Sequence, residues 1–487
     1  MEENKEYLQH FPTSNREIVL LAVAAVLGIF TVNCGVYYGL NLGFAVAAVL
    51  CIGVSVLYLL KSGCKMTFYS GALLVLSMVA AASHARSDDK FVKFIMLMFT
   101  LVGANLGFCL MAGQNRRNAG VFASLLDAPR TIFVFGMGGL GAAANGIKES
   151  AKNAGTAGKN RTAVLVGLLI AVPVMAVLIP LLVSADAAFE GLLSLLPQFN
   201  VTEALGSVLL GVPLAAVLYA RNVALRHREK DESAASTRKT VHPLTVNTVL
   251  IAVCILYLAY LFSQLSYFVG GFSGLLPEGY TMADYARRGF FEIAWLSVLN
   301  LGIMTLSVAL VEPKNGRAPL MTRLLALFIG AVSTFFIGTA SAKMMLYIGS
   351  YGLTRLRLLT EVIMVFIAFT VVYVTVWLFC PRFPYMKAVV LTGLLIGCIV
   401  AWADVDTVVA AYNVSAYQSG ALESIDLSHL GSLGDGAVPY IEKLRWDRDL
   451  TVARWAQNEL ESRFIPQDLR AKNICAIIAE TILEQLK

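Results

Sequence analysis

The sequence predicts an all-α polytopic transmembrane bundle of about eleven spans, with a small helical extramembrane domain at its C-terminal end. Three observations carry this prediction. Of 487 residues, 57% are hydrophobic and 14% charged, where a soluble domain is about 25% charged. Mean hydropathy is +0.71. The apolar residues are gathered in long uncharged runs, as helices surrounded by lipid require. Such a composition excludes a disordered chain, a collagen and a disulfide-stapled secreted module.

The elements follow in chain order. From Ile18 to Leu60 no residue is charged, and at ~1.5 Å per residue that run is about twice a ~30 Å hydrocarbon core, so it crosses twice. Asn33, Gly35, Gly39 and Asn41 mark the turn between spans at 18–34 and 40–60. Further spans are expected at 67–83, 91–112, 162–183, 203–220, 244–269, 289–311, 324–347, 358–380 and 388–403. Two long loops, 113–161 and 221–242, separate them. The uncharged stretch Thr131–Ile147 in the first loop is short and glycine-rich, which fits an interfacial or re-entrant segment. The second, from Arg226-His227-Arg228 to Thr240, reads as a solvated linker. Pro173 and Pro180 in the fifth span and Pro213 in the sixth are expected to kink their helices.

The positive-inside rule orients these spans. With the N-terminus cytoplasmic, inside segments hold twenty-two Lys and Arg residues, and outside connections before residue 404 hold eight. An odd span count puts residues 404–487 outside. That tail carries eight cations and thirteen carboxylates, net −5, while residues 1–403 are net +11. A basic face at an anionic leaflet and an acidic domain in water are implied, and nucleic-acid binding is not. The tail reads as helical. Pro439 and Pro466 stand at helix starts, and Ile474, Ile478, Ile482 and Leu486 give one apolar face. Met1–Arg16 is polar, unlike a cleaved signal sequence.

Motifs of soluble enzymes find no context here. Gly136-Met137-Gly138-Gly139-Leu140-Gly141 matches G-x-G-x-x-G, but Lys159 and Arg161 occupy the region where a ribose-binding acid belongs. Its glycines fit close backbone approach instead. The stretch 155–162, GTAGKNRT, lacks Ser or Thr after the lysine of a phosphate loop. Most of the eight cysteines lie in apolar runs, no C-x-x-C occurs, and the five histidines are scattered. No metal or cofactor site and no catalytic residue is assigned. Asp88-Asp89 is a paired carboxylate in an outer loop, open to a transferase role or to simple solvation beside Arg86 and Lys90.

Charges near the spans collect toward the outer ends: Asp186, Glu190, Glu292, Lys343, Arg355, Arg357 and Glu361. One reading is ion pairing at headgroup level, for example Arg357 with Glu361. The other is an outward-facing polar cavity, in which Lys343 and Arg355 attract an anionic group and Glu292 or Glu361 carries charge or a proton.

Tyr351-Gly352-Leu353-Thr354-Arg355-Leu356-Arg357, Asp404-Val405-Asp406 with Tyr412-Asn413-Val414, and Asp435-Gly436-Ala437-Val438-Pro439 together resemble a bacterial family of multi-span membrane proteins catalogued only as a domain of unknown function. Asp468-Leu469-Arg470 and Asn473 are similar as well. The likeness covers mainly residues 184–487. It implies a bacterial cytoplasmic-membrane protein and carries over no catalytic residue. Physically, Gly352 permits a turn and Thr354 caps the tenth span. Tyr347 and Tyr351 suit the membrane interface. Arg355 or Arg357 is then expected to meet Asp404 or Asp406, coupling the outer domain to the bundle.

These readings give domains at 1–403 and 404–487, and partners in the bilayer and in a small-molecule or protein ligand at the outer face. They lean to transport of a small molecule or ion. The alternatives are a sensor or scaffold acting through the C-terminal domain, and a membrane-embedded glycosyl- or phosphotransferase-like enzyme.

Overall fold

The computed structural model describes residues 14–114, 126–153, 201–227, 240–272, 290–314, 317–463, 465 and 468–486, with single positions between 164 and 182. The expected span at 162–183 with Pro173 and Pro180, the charges Asp186 and Glu190, most of the second loop and Pro466 lie largely or wholly outside them. Among the described residues ten helices are long and apolar enough to cross a membrane, and no strand occurs beyond two isolated bridges. The fold is an all-α polytopic bundle.

The chain divides into two compact units. The first comprises Met1–Ala235, Gly397–Asp404 and Arg463–Lys487, the second Ser236–Ile396 and Val405–Ser462. Residues 404–487, expected as one outer domain, are therefore shared between the units.

In the first unit α1 (Asn15–Val32) continues into a π-helical turn at Asn33–Tyr37. It is followed by α2 (Leu42–Lys61), α3 (Phe68–Ala82), α4 (Lys90–Met111), α5 (Leu140–Asn153) and α6 (Val201–His227). A capping box starts α1, with Ser14 and Glu17 answering each other's backbone amides. Residues 131–137 form a π-helical turn beside α6, where Gly136 lies close to Val217. The glycines of the G-x-G-x-x-G match thus serve helix contact.

Helices α1 and α6 pack antiparallel along their whole length. Glu17 meets Arg226, Asn33 meets Ser207 and Tyr38 meets Glu203. Between these contacts Gly28 faces Gly211, and a Cβ on either would lie 2.5 Å from the other helix's backbone. Small residues at such a crossing let dispersion act at short range, which is what holds helices together in lipid. Helix α6 runs through Pro213 without interruption and seven residues beyond the expected span end at 220. Arg221 and Arg226 are therefore helical and packed, not part of a solvated linker. The core is Leu20, Ala24, Phe44, Leu59, Leu74, Phe108, Phe135, Tyr219 and their neighbours.

The second unit contains α7 (Pro243–Phe272), α8 (Phe290–Leu310), α9 (Leu320–Tyr351), α10 (Arg355–Phe379) and the first part of α11 (Tyr385–Ala403). It then takes α12 (Val405–Gln418), α13 (Leu427–Gly431), α14 (Val438–Lys443) and α15 (Leu450–Ser462). Pro439 lies in the first turn of α14, where its missing N–H costs nothing. Tyr257 of α7 donates to Asn300 Oδ1 of α8 at 2.5 Å, and Asn300 Nδ2 donates to Ser333 Oγ of α9 at 2.9 Å. This buried chain of hydrogen bonds fixes the register of three helices. The last helix, α16 (Ile474–Gln485), returns to the first unit. Its buried side is Cys475, Ala476 and Ala479, while Ile478 of the expected apolar face stays 42% exposed.

Candidate functional site

The second unit brings the tenth-span motif onto the tail. Gly352 ends α9 at φ +75°, a conformation that glycine adopts without the Cβ penalty, and a Cβ there would stand 2.7 Å from Asn413 Oδ1. The freed space lets Asn413 of α12 clasp the backbone of Leu353. Its Oδ1 accepts the Leu353 N–H at 2.7 Å, and its Nδ2 donates to the Leu353 carbonyl at 2.8 Å. Thr354 then caps α10 by accepting the Arg357 N–H.

Arg355, the first residue of α10, forks onto both oxygens of Asp406, with Nη2 at 2.7 Å from Oδ2. Asp406 is 1% exposed and also accepts the Gly434 N–H at 2.7 Å. A buried carboxylate needs such a bidentate partner and a further donor to offset its desolvation. Arg357 turns elsewhere. It donates to the Tyr351 and Gly352 carbonyls and stacks its guanidinium 4.1 Å from the Tyr347 ring centre. Of the four expected combinations, the pair present is Arg355 with Asp406.

Asp404 belongs to the first unit. It is fully buried, adopts φ +58°, accepts the Asp88 N–H at 3.3 Å and lies 3.6 Å from Cys475 Sγ. The paired carboxylates are engaged structurally: Asp88 accepts from Asn473 Nδ2, and Asp89 caps α4 through the Val92 N–H. Neither stands on an exposed loop tip.

The three expected cavity residues differ in setting. Glu292 is exposed near the start of α8, and Lys343 is half-buried on α9. Glu361 is 9% exposed, about 9 Å along α10 from Arg355, and its Oε1 makes no hydrogen bond among the described residues.

Two polar clusters that sequence reasoning missed cap the first unit. At one end Glu17, fully buried, accepts from Tyr58 at 2.8 Å and pairs with Arg226. The S-x-x-E pattern at Ser14–Glu17 was its available signal. At the other end Arg470 holds Asp468 through both oxygens, Asn33 Oδ1 at 3.1 Å and Tyr38 Oη at 2.6 Å, with its guanidinium 3.8 Å from the Tyr38 ring centre. Loss of water around the Tyr38 phenol, then its bond to Glu203, push its pKa up to about 12. The hydrogen bond from Arg470 holds the Asp468 carboxyl below the ordinary aspartate range. The Lys472 and Arg470 carbonyls accept the Leu42 and Gly43 N–H groups, capping α2 from 430 residues away. The Asp468-Leu469-Arg470 motif marks one side of that cluster, and no local signal announces Asn33 and Tyr38 as its partners.

The two ends are distinct. Trp402 donates to the Val79 carbonyl and Lys93 to Asn41, so the close of α11 and the start of α4 share the Arg470 end, opposite Glu17. Among the described residues no three His, Cys, Asp or Glu side chains converge to hold a metal ion.

No curated protein and no solved structure matches this sequence. A family model, "Domain of unknown function (DUF4153)", matches residues 18–444. The span pattern and the motif cluster at 351–357 and 404–439 fall within that match, and the chain belongs to the DUF4153 family.

Proposed function

We propose that the protein carries a small polar molecule or ion across a bacterial cytoplasmic membrane, with Glu361 as the ionisable group of the pathway. The carrying observation is Glu361 itself: a carboxyl buried among packed helices about two turns inside a span, with one oxygen left without a hydrogen bond among the described residues. An acid at that depth costs on the order of 3 kcal/mol, so it marks an ion, proton or substrate path more often than an ornament. In proteoliposomes screened with small polar solutes, Glu361→Gln is expected to cut uptake at least tenfold. Uptake that survives neutral replacement of Glu292, Lys343 and Glu361 together removes this reading.

A cytoplasmic N-terminus and an extracytoplasmic tail go with the proposal. Support comes from the separation of Glu17 and Arg470 to opposite ends of the first unit, and from the antiparallel pairing of α1 and α6. Helix α6 runs antiparallel to α1, as the sixth of the expected eleven spans would. A membrane-impermeant thiol reagent should label Ser428→Cys in intact spheroplasts of a cysteine-free background. Labelling only after lysis inverts the sidedness.

The sensor or scaffold alternative is favoured by a different observation. The tail is tied into each unit by its own polar contact, the buried Asp406 with Arg355 in one and the half-exposed Arg470 with Asn33 and Tyr38 in the other.

A further inference from the structure

Helix α16 changes polarity along its length as well as around its girth. Residues 473–479, Asn-Ile-Cys-Ala-Ile-Ile-Ala, carry no charge, whereas 480–487 hold Glu480, Glu484 and Lys487. The helix packs into the first unit through Cys475, Ala476 and Ala479, each at most 2% exposed. Its outward residues then sort by position. In the first half they are Ile477 and Ile478, 37% and 42% exposed, with Ile474 partly so, and in the second half they are Thr481, Glu484 and Gln485. Lys472, just ahead of the helix, folds its ammonium forward onto Glu480 at 2.6 Å.

The apolar half is the half pinned at the membrane rim. The span of α3 closes at Ala85, that of α4 opens at Lys90 and that of α11 closes at Ala403. Asn473 Nδ2 donates to Asp88 Oδ1 at 3.1 Å, and Cys475 Sγ donates to the Arg86 carbonyl at 3.3 Å and lies 3.6 Å from Asp404 Oδ2. Arg86 Nε in turn donates to the Trp402 carbonyl at 3.3 Å. Each of these partners stands within three residues of a span end, which sets the first turn of α16 at the same level. Trp402 is 41% exposed there and donates its indole N–H to the Val79 carbonyl, as an interfacial tryptophan does. Glu484 lies ~15 Å further along the helix at ~1.5 Å per residue. The headgroup layer is about 5–8 Å deep on each side of the bilayer, so a helix leaving the rim obliquely has room to begin beside acyl chains and end in water.

We infer that the first turns of α16 are a lipid-contact site, in which Ile474, Ile477 and Ile478 enter the phospholipid leaflet at the edge of its hydrocarbon while Thr481, Glu484 and Gln485 stay in water. Continuity identifies the occupant. The isoleucines extend outward from span ends that already face lipid, and a leaflet is the apolar phase at that level. A protein groove makes a different demand, since a helix seated in one presents anchors at i, i+3, i+4 and i+7 along its length. Here the series Ile474, Ile477, Ile478 breaks at its fourth member, Thr481, and the next turn offers Gln485. The tail, read from its charge as a domain in water, is thereby anchored to the bilayer through α16. The site belongs to the first unit, is independent of the Glu361 pathway, and holds for either sidedness of the tail.

The test uses the full, unmodified chain in vesicles of phosphatidylethanolamine and phosphatidylglycerol, doped with a phosphatidylcholine that carries a diazirine on its acyl chain. After illumination, peptide mass spectrometry should find adducts on Ile474–Ile478 severalfold above those on Thr481–Gln485. Adducts absent from α16, or spread evenly along it, overturn the proposal. A second measurement reads the same gradient without cross-linking, from nitroxides at Ile478→Cys and Glu484→Cys in a cysteine-free background reconstituted in the same lipids. Oxygen should relax the label at 478 severalfold more than a water-soluble nickel chelate does, and the order should reverse at 484. Chelate access at 478 equal to that at 484 puts the face in water. A label at 478 shielded from both reagents puts it under protein, a second copy or another partner. Either result overturns the inference.

Discussion

Arg355→Ala is expected to destabilise the second unit by about 3 kcal/mol, the low end of what breaking a buried ion pair costs. The asymmetry of the pair sets that figure. Asp406 is 1% exposed whereas the Arg355 side chain is 34% exposed, so truncating the arginine strands a carboxylate away from water. Asp406→Asn should cost less, because the guanidinium left behind is partly solvated and the amide oxygen still accepts the Gly434 N–H. Arg357→Ala, a neighbour with the same charge, should cost about 1 kcal/mol, the scale of one cation–π contact and exposed carbonyl bonds. Swapping the pair as Arg355→Asp with Asp406→Arg will not restore stability, since the Gly434 amide would then face a cation. Denaturant midpoints in a fixed detergent rank the four variants. Equal losses at Arg355 and Arg357 would contradict the buried-carboxylate account.

Gly211→Ala is the second large effect. Its new Cβ would meet Ile29 Cα at 2.5 Å and Ile29 N at 2.8 Å, both backbone atoms that cannot swing aside. The helices must separate, and overpacking of this kind costs about 3 kcal/mol where neighbours cannot yield. Separation also strains the ties at both ends, Glu17 with Arg226 and Tyr38 with Glu203. Gly53→Ala is the control. Nothing lies within 4 Å of its Cβ position, so helix propensity should leave it neutral or stabilise by up to about 1 kcal/mol. Thermal unfolding that treats the two substitutions alike would show that α1 and α6 do not depend on their close approach.

What could be read from the residues follows from what lipid demands. A hydrocarbon core requires some twenty apolar residues in a row, so span positions were legible and the polytopic class with them. The clasp between residues 353–355 and 406–413 was legible in outline because both segments flank the ends of expected spans. Which arginine reaches which aspartate was not, since Arg355 and Arg357 differ only in rotation about the start of α10. Arg221 was misplaced for a physical reason. A first charge ends a span when lipid surrounds it, but α6 is sheathed by other helices and continues to His227. The Arg470 cluster was invisible, because its partners Asn33 and Tyr38 lie more than four hundred positions away.

The first unit is assembled from segments of the chain more than four hundred residues apart. Helices α1 to α4 leave the ribosome before residues 470 and 472, yet the amides at the start of α2 and the accepting oxygens of Asn33 and Tyr38 obtain their acceptors and donors only when Arg470 and Lys472 emerge. During synthesis those early helices must wait in the membrane with an open rim. A frameshift or protease cut near residue 465 would therefore be felt some 430 residues upstream, loosening α1 and α2 while the second unit stays intact.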